Sequence, residues 1–288
     1  MFGLFKKKEI EWSFEQPEII EGMMKKYLVI MATLILLSAC GGSSTPQVPS
    51  TPYSIPNPSN PSENLAIPDN RNKPSYQILI IGNSHVSGIH SLLTTIFENS
   101  NEANNVTIET RSGIFLDTIV NDENIIELIN NKKWTHVILQ GQKYSQSQMK
   151  FYPTDATVLW IQRVKAVGAT PILFPEHPLF GKPQDAEYVH NIHKGIAAEQ
   201  SSCVAPIGLT WNSALSISPG LKLHSSDGNH ASMLGATLTS FVLYETISGE
   251  SADLLPLIDA LQGDETTQAL FGQITSEIIT NNLPCKFL

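Results

Sequence analysis

Short apolar runs alternate with longer amphipathic stretches from about residue 76 to the end of this 288-residue chain. Runs rich in Val, Ile and Leu, without the strict polar alternation of a half-exposed sheet, indicate buried strands. They predict strands at residues 77–81, 106–109, 136–140, 170–174 and 203–207. Near-continuous apolarity is typical of strands covered on both faces, so we expect them in the interior.

Amphipathic stretches between these runs predict the helices. They span residues 85–98, 116–130, 155–167, 185–200 and 232–247, and two more follow toward the end of the chain. Strands that alternate with helices favour the α/β class, here a three-layer α/β/α sandwich around a central parallel sheet. In such sheets ligands bind beyond the carboxyl ends of the strands, so the residues that close each strand are the candidates for chemistry.

The N-terminal region has the pattern of a secretory signal peptide. Lys25 and Lys26 precede a short apolar run over residues 27–37, which ends in Leu-Ser-Ala-Cys at Cys40. This ending resembles the lipobox of bacterial lipoproteins, which implies lipidation of Cys40 after cleavage. An ordinary signal peptide with a chance cysteine is the alternative. Because residues 1–23 make a long acidic tail before the basic start, we hypothesise that translation begins at Met23 or Met24.

A linker follows the predicted signal peptide of residues 1–40. Residues 41–75 are rich in Pro, Ser and Asn and almost free of apolar side chains, so they cannot bury enough surface to offset the entropy of ordering. We therefore predict a disordered tether over residues 41–75 and a globular domain over residues 76–288. The implied location is the bacterial cell envelope, with the outer membrane favoured and the lipid on Cys40 as the contact with the bilayer.

Charge narrows the choice of partners. The formal net charge is −9, and no cluster of Lys or Arg follows Lys26, which disfavours nucleic acid because phosphates attract basic patches. A neutral or cationic small substrate fits better. The segment Gly-Asn-Ser-His after the first strand lacks the glycine spacing and the lysine of phosphate-binding loops, and we expect no cofactor and no metal ion.

Two segments carry residues suited to nucleophilic catalysis. Ser84 follows the first predicted strand and precedes a helix, where its backbone N–H could stabilise an oxyanion. Far downstream, Asp227 and His230 precede another helix, and a carboxylate that orients an imidazole can activate a serine. Taken separately, Ser84 reads as a helix cap and Asp227 as a turn residue.

Together these segments resemble the SGNH/GDSL hydrolase superfamily. Ser84 matches the nucleophile of its first block, and Asp227 and His230 match the carboxylate and general base of its Asp-x-x-His block. Gly113 matches the glycine whose N–H joins that of Ser84 in the oxyanion hole. The resemblance covers about residues 76–249 and implies a flavodoxin-like α/β/α fold and esterase activity.

The third block departs from the commonest family pattern. The family usually has Gly-x-Asn-Asp after the third strand, whereas this chain reads Gln-Gly-Gln over residues 140–142. It resembles the Gln-Gly-Glu version of some carbohydrate O-acetylesterases of the superfamily, and a glutamine amide can donate the same hydrogen bond. We predict Gln140, or else Gln142, as the third oxyanion donor. His85 stands where the common form has leucine.

The resemblance implies a serine hydrolase acting on carboxylic esters, with O-acetyl or short-acyl esters of a glycan favoured as substrates. The alternative is a catalytically silent surface lipoprotein of the same fold that binds carbohydrate or a partner protein. A fluorophosphonate probe separates the two, because only an activated serine reacts with it. The sequence indicates no particular oligomeric state.

The remaining cysteines, histidines and tryptophans support weaker predictions. An oxidising compartment would permit Cys203 and Cys285 to pair, and two buried thiols are the equal alternative. His190 and His193 have helical spacing without a metal-binding partner set, which favours a solvated helix surface. His177 follows the fourth strand and is a candidate for the pocket wall. We expect three tryptophans in the core: Trp134, Trp160 and Trp211.

Overall fold

The computed structural model describes residues 64–100 and 105–287. The predicted signal peptide, Cys40 and most of the predicted tether lie outside the described residues. Within them, five strands form one parallel sheet in the order β2-β1-β3-β4-β5. The strands are β1 (Ser75–Ile81), β2 (Asn105–Arg111), β3 (His136–Leu139), β4 (Thr170–Leu173) and β5 (Cys203–Val204).

The carboxyl ends of the central strands are aligned. Ile81 pairs with Leu139, Leu139 pairs with Leu173, and Leu173 pairs with Val204. The residues that follow these strands therefore meet at one edge of the sheet. The order of the strands reverses between β1 and β3, and ligands in open α/β sheets bind at that switch point.

Helices cover both faces of the sheet, which confirms the predicted three-layer α/β/α sandwich. The part of the chain that the structure describes contains seven α-helices: α1 (Ile89–Asn99), α2 (Glu123–Asn131), α3 (Asp155–Ala166), α4 (Gln184–Glu199), α5 (Ile207–Ile217), α6 (Met233–Ser248) and α7 (Glu265–Asn281). Ile78 and Ile80 of β1 face a core shared with α1, α5, α6 and α7. Leu79 and Ile81 face a second core shared with α2, α3 and α4. This alternation along β1 is what two buried faces require.

Two predicted elements differ from the observed ones. The fifth strand ends at Val204 and not at residue 207, because Pro206 has no N–H for the ladder and Ile207 begins α5, which the pattern did not predict. The helix predicted over residues 116–130 begins only at Glu123. Asp122 ends the preceding loop by accepting a hydrogen bond from the N–H of Asn124, as an N-cap does.

The packed region begins earlier than residue 76, so the prediction of a tether up to residue 75 is wrong in its last part. Ile67 is buried in the core of the α1 face. Lys165 donates from Nζ to the backbone oxygen of Leu65 at 2.7 Å and to Oδ1 of Asn64 at 3.1 Å. These contacts join the segment before β1 to α3.

Cys203 and Cys285 form a disulfide that spans 82 residues of sequence. Beside it, the N–H of Val204 donates to the oxygen of Pro284 at 2.8 Å, so the C-terminal segment lies along β5. None of the helices within residues 64–100 and 105–287 is long and apolar enough to cross a membrane.

His190 and His193 are buried in the structure, and the prediction of a solvated helix surface is wrong for both. They lie on the inner stripe of α4 with Ala186, Val189 and Ile196, at the helical spacing of a core-facing side. Burial lowers the pKa of each imidazole to about 4. The three tryptophans predicted to lie in the core are buried: Trp134, Trp160 and Trp211.

Candidate active site

The turn after β1 holds Ser84 at the carboxyl edge of the sheet. Gly82 closes the strand, and a Cβ there would lie 2.4 Å from Oε1 of Gln140, so only glycine fits. Asn83 caps a short 3₁₀ turn, Ser84–Val86, by accepting from the N–H of His85 at 2.9 Å. The serine side chain is exposed at the start of this turn.

The loop before α6 holds the base and the carboxylate. His224 and Ala231 form an antiparallel bridge across the base of this loop. Within the loop, Oδ1 of Asp227 accepts from the backbone N–H groups of Asn229 at 2.9 Å and His230 at 3.0 Å. Ser225 adds a hydroxyl bond to the same oxygen at 2.6 Å. These bonds fix the carboxylate in one orientation.

The structure brings Ser84, His230 and Asp227 together. Oγ of Ser84 lies 2.7 Å from Nε2 of His230, and Nδ1 of His230 lies 2.5 Å from Oδ2 of Asp227. The hydrogen bond from His230 is the main cause that lowers the pKa of Asp227, and the bond from Ser225 adds to it. Asp227 is therefore ionised at neutral pH and can orient the imidazole and stabilise its protonated form.

The two residues predicted to donate backbone N–H groups to an oxyanion, Ser84 and Gly113, line the same cleft. Ser84 opens the 3₁₀ turn, where a backbone N–H has no partner within the turn. Gly113 follows β2 with a φ of 81°, a conformation that disfavours other residues, and lines the same cleft as Ser84. Within the described residues, no backbone hydrogen bond uses the N–H of Gly113.

Neither predicted glutamine presents its amide to this site. Gln140 is fully buried, where its Oε1 accepts from the N–H of Asn83 at 2.7 Å and its Nε2 donates to Oε1 of Glu176 at 2.8 Å. Gln142 lines the cleft, but its Nε2 donates to the oxygens of Lys143 and Pro153. Both amides are bound within the protein, so the prediction of Gln140 or Gln142 as an oxyanion donor is not met in this conformation.

Glu176 is the central residue that sequence reasoning missed. Its Oε1 accepts from Nδ2 of Asn83 at 3.1 Å and from Nε2 of Gln140, and its Oε2 accepts from the hydroxyl of Tyr144 at 3.0 Å. The carboxylate therefore links the loops that follow β1, β3 and β4. Its position after the fourth strand was the available signal, but the choice between Glu176 and His177 was not visible in the pattern.

A second imidazole ring, that of His85, contacts the base. His85 stacks on His230 with ring centroids 5.0 Å apart, and its Nε2 lies 3.6 Å from Oε2 of Glu176. Burial lowers the pKa of His85, so this ring is neutral at neutral pH and adds no positive charge beside His230. His177, a candidate for the pocket wall, is instead buried and stacked on Trp211 at 3.9 Å. Among the described residues no group of His, Cys, Asp and Glu is arranged to hold a metal ion.

Two clefts meet at Ser84. One of about 830 Å³ is lined by polar and aromatic residues that include Gly113, Tyr144 and Asn229. The other, of about 300 Å³, is lined by His230 and Met233. A separate apolar cleft of about 1010 Å³ lies behind the Asp227 loop and is lined by neither Ser84 nor His230.

Comparison with known proteins identifies similar folds among solved structures. No family model and no curated protein matches this sequence. A DUF4886 family protein from Bacteroides uniformis has a TM-score of 0.58 at 13% identity, covering 74% of this chain and 98% of that one. A candidate SGNH hydrolase from Slackia heliotrinireducens has a TM-score of 0.49 at 21% identity, covering 60% and 100%. A lipase/acylhydrolase from Enterococcus faecalis has a TM-score of 0.43 at 17% identity, covering 60% and 96%. At these identities the similarity concerns the fold alone.

Proposed function

We propose that this chain is a serine hydrolase of carboxylic esters. The observation that carries the proposal is the hydrogen-bonded series from Oγ of Ser84 through His230 to Asp227, with distances of 2.7 and 2.5 Å. A serine hydroxyl becomes a useful nucleophile when a base removes its proton, and an oriented imidazole is the usual base.

In the proposed reaction, Oγ of Ser84 attacks the ester carbonyl while Nε2 of His230 takes its proton. The negative oxygen of the tetrahedral intermediate receives hydrogen bonds from the N–H groups of Ser84 and Gly113. His230 then gives the proton to the departing alcohol, and water hydrolyses the acyl-enzyme by the same steps. Asp227 stays ionised throughout and stabilises the imidazolium.

The proposed substrates are O-acetyl or short-acyl esters of a glycan. Support comes from the cleft at Ser84, where hydroxyl and amide groups of Ser145, Ser147 and Asn229 accompany the rings of Phe115 and Tyr152. This mixture suits a polyhydroxy ring better than a long acyl chain. We also propose, from the resemblance of residues 37–40 to a lipobox, that the enzyme acts in the cell envelope, anchored through Cys40.

Hydrolysis of 4-nitrophenyl acetate by the purified full chain tests the activity. We expect Ser84→Ala and His230→Ala each to lower kcat by about a thousandfold or more, because the triad acts as a unit. Ser91→Ala, an exposed serine of α1, is the matched control and should keep wild-type kcat. Full activity in Ser84→Ala would overturn the assignment.

A further inference from the structure

The chain between β3 and α3 exposes large apolar side chains beside the cleft that contains Ser84. We name residues 143–153 the rim segment. Within it Phe151 is 97% exposed, Met149 85% and Tyr152 43%. Exposed apolar side chains that follow closely in one segment and are flanked by polar residues are typical of an interaction site.

The rim segment separates two clefts that share its residues. The cleft of about 830 Å³ contains Ser84, and a second cleft of about 240 Å³ extends to Tyr188 and Asn191 on α4. Five residues line both: Lys143, Tyr144, Ser145, Lys150 and Tyr152. The surface that begins at the nucleophile therefore continues across the rim segment to α4.

The groups along this surface suit a sugar chain. Sugar rings present apolar C–H faces that pack on aromatic rings, and hydroxyls that bond to amide, hydroxyl and ammonium groups. Phe115, Phe151 and Tyr152 supply rings, while Ser145 and Asn191 supply polar partners. An acyl chain would be better matched by the apolar cleft behind the Asp227 loop, which Ser84 does not line.

We propose that the rim segment and the adjoining face of α4 bind the sugar chain of a polymeric ester substrate. Phe151 stacks on a sugar unit remote from the ester that Ser84 attacks. The enzyme therefore selects esters carried on an oligosaccharide over the same esters on a single sugar. This inference rests on the proposed esterase function.

Acetylated xylo-oligosaccharides of increasing length serve as the probe, with 4-nitrophenyl acetate as the reference substrate. We expect wild-type kcat/KM to be higher for a hexasaccharide than for a disaccharide. We expect Phe151→Ala to lower the ratio of hexasaccharide to nitrophenyl acetate kcat/KM by about tenfold, mainly through KM, the scale of one lost ring contact. Phe180→Ala is the matched control, because this 74% exposed ring lines the other cleft.

The outcomes are distinct. If the wild type does not hydrolyse 4-nitrophenyl acetate, the proposed esterase function itself is refuted. Turnover without a preference for longer chains, or an unchanged ratio in Phe151→Ala, would overturn the inference while leaving the esterase in place. If Phe151→Ala instead abolishes sedimentation with anionic lipid vesicles and leaves the chain-length preference intact, the rim segment binds a membrane and the sugar-chain proposal is wrong.

Discussion

Glu176 should control catalysis by positioning the loops around Ser84, although it does not contact Ser84. In Glu176→Ala two buried donors, Nδ2 of Asn83 and Nε2 of Gln140, and the half-buried hydroxyl of Tyr144 lose their acceptor. Each unsatisfied donor costs roughly 1–3 kcal/mol, and water entering from the cleft recovers part of that. We expect the free energy of unfolding to fall by about 3 kcal/mol.

The larger effect should be on turnover. Asn83 precedes Ser84, and Gln140 holds its N–H while Glu176 holds its side chain. Glu176→Ala removes the bond to Asn83 and the bond that orients Gln140, so the nucleophile and its oxyanion donor move. A displacement of about 1 Å costs on the order of a hundredfold in rate, and we expect kcat to fall by about that factor with little change in KM. Glu176→Gln keeps one acceptor oxygen on a side chain of the same size and shape, so this variant should retain most of kcat.

Kinetics on 4-nitrophenyl acetate and urea unfolding of the same preparations test this prediction. The matched control is Glu245→Ala, which removes another buried carboxylate that accepts from the N–H of Ala252 and the hydroxyl of Ser276. Glu245 lies about 18 Å along α6 from Met233, which lines a cleft at Ser84. Glu245→Ala should therefore lower the free energy of unfolding without lowering kcat. Equal losses of kcat in Glu176→Ala and Glu245→Ala would refute the positioning role.

Two further predictions concern stability. Burial lowers the pKa of His136 and His177 to about 3. Below pH about 6.5 the unfolded chain therefore binds protons that the folded chain does not. As the pH is lowered, the free energy of unfolding should decrease by up to about 1.4 kcal/mol per histidine per pH unit. Urea unfolding near pH 7 and near pH 5 measures the slope, which His136→Gln should make shallower; an equal slope would contradict this. The disulfide from Cys203 to Cys285 closes 82 residues, so its reduction should lower the free energy of unfolding by about 4 kcal/mol. An unchanged melting temperature after reduction would contradict that estimate.

Much of the fold could be predicted from local pattern. The apolar runs located every strand of the sheet, because buried parallel strands are continuous in sequence. Pro206 was a signal for the start of the missed helix α5, and Asp122 was a signal for the late start of α2. The apolar residues near each position favoured the longer strand and the longer helix instead. The burial of His190 could have been predicted from Ala186 and Val189, which lie on the same apolar stripe of α4.

The candidate site was only partly visible for a different reason. Ser84 and the Asp227–His230 pair are recognisable because each is a short segment next to an element boundary. The links among Asn83, Gln140 and Glu176 join loops after three strands, and local pattern does not say which side chain turns inward. The glutamine that resembled an oxyanion donor therefore proved to be a buried link in the structure.

The most direct test of the central claim is labelling with a fluorophosphonate probe, followed by mass spectrometry of the peptides. The account predicts a single modified residue, Ser84, in the wild type and little or no labelling in His230→Ala, where the hydroxyl loses its base. Absence of label in the folded wild-type chain, or label on a different serine, would contradict it.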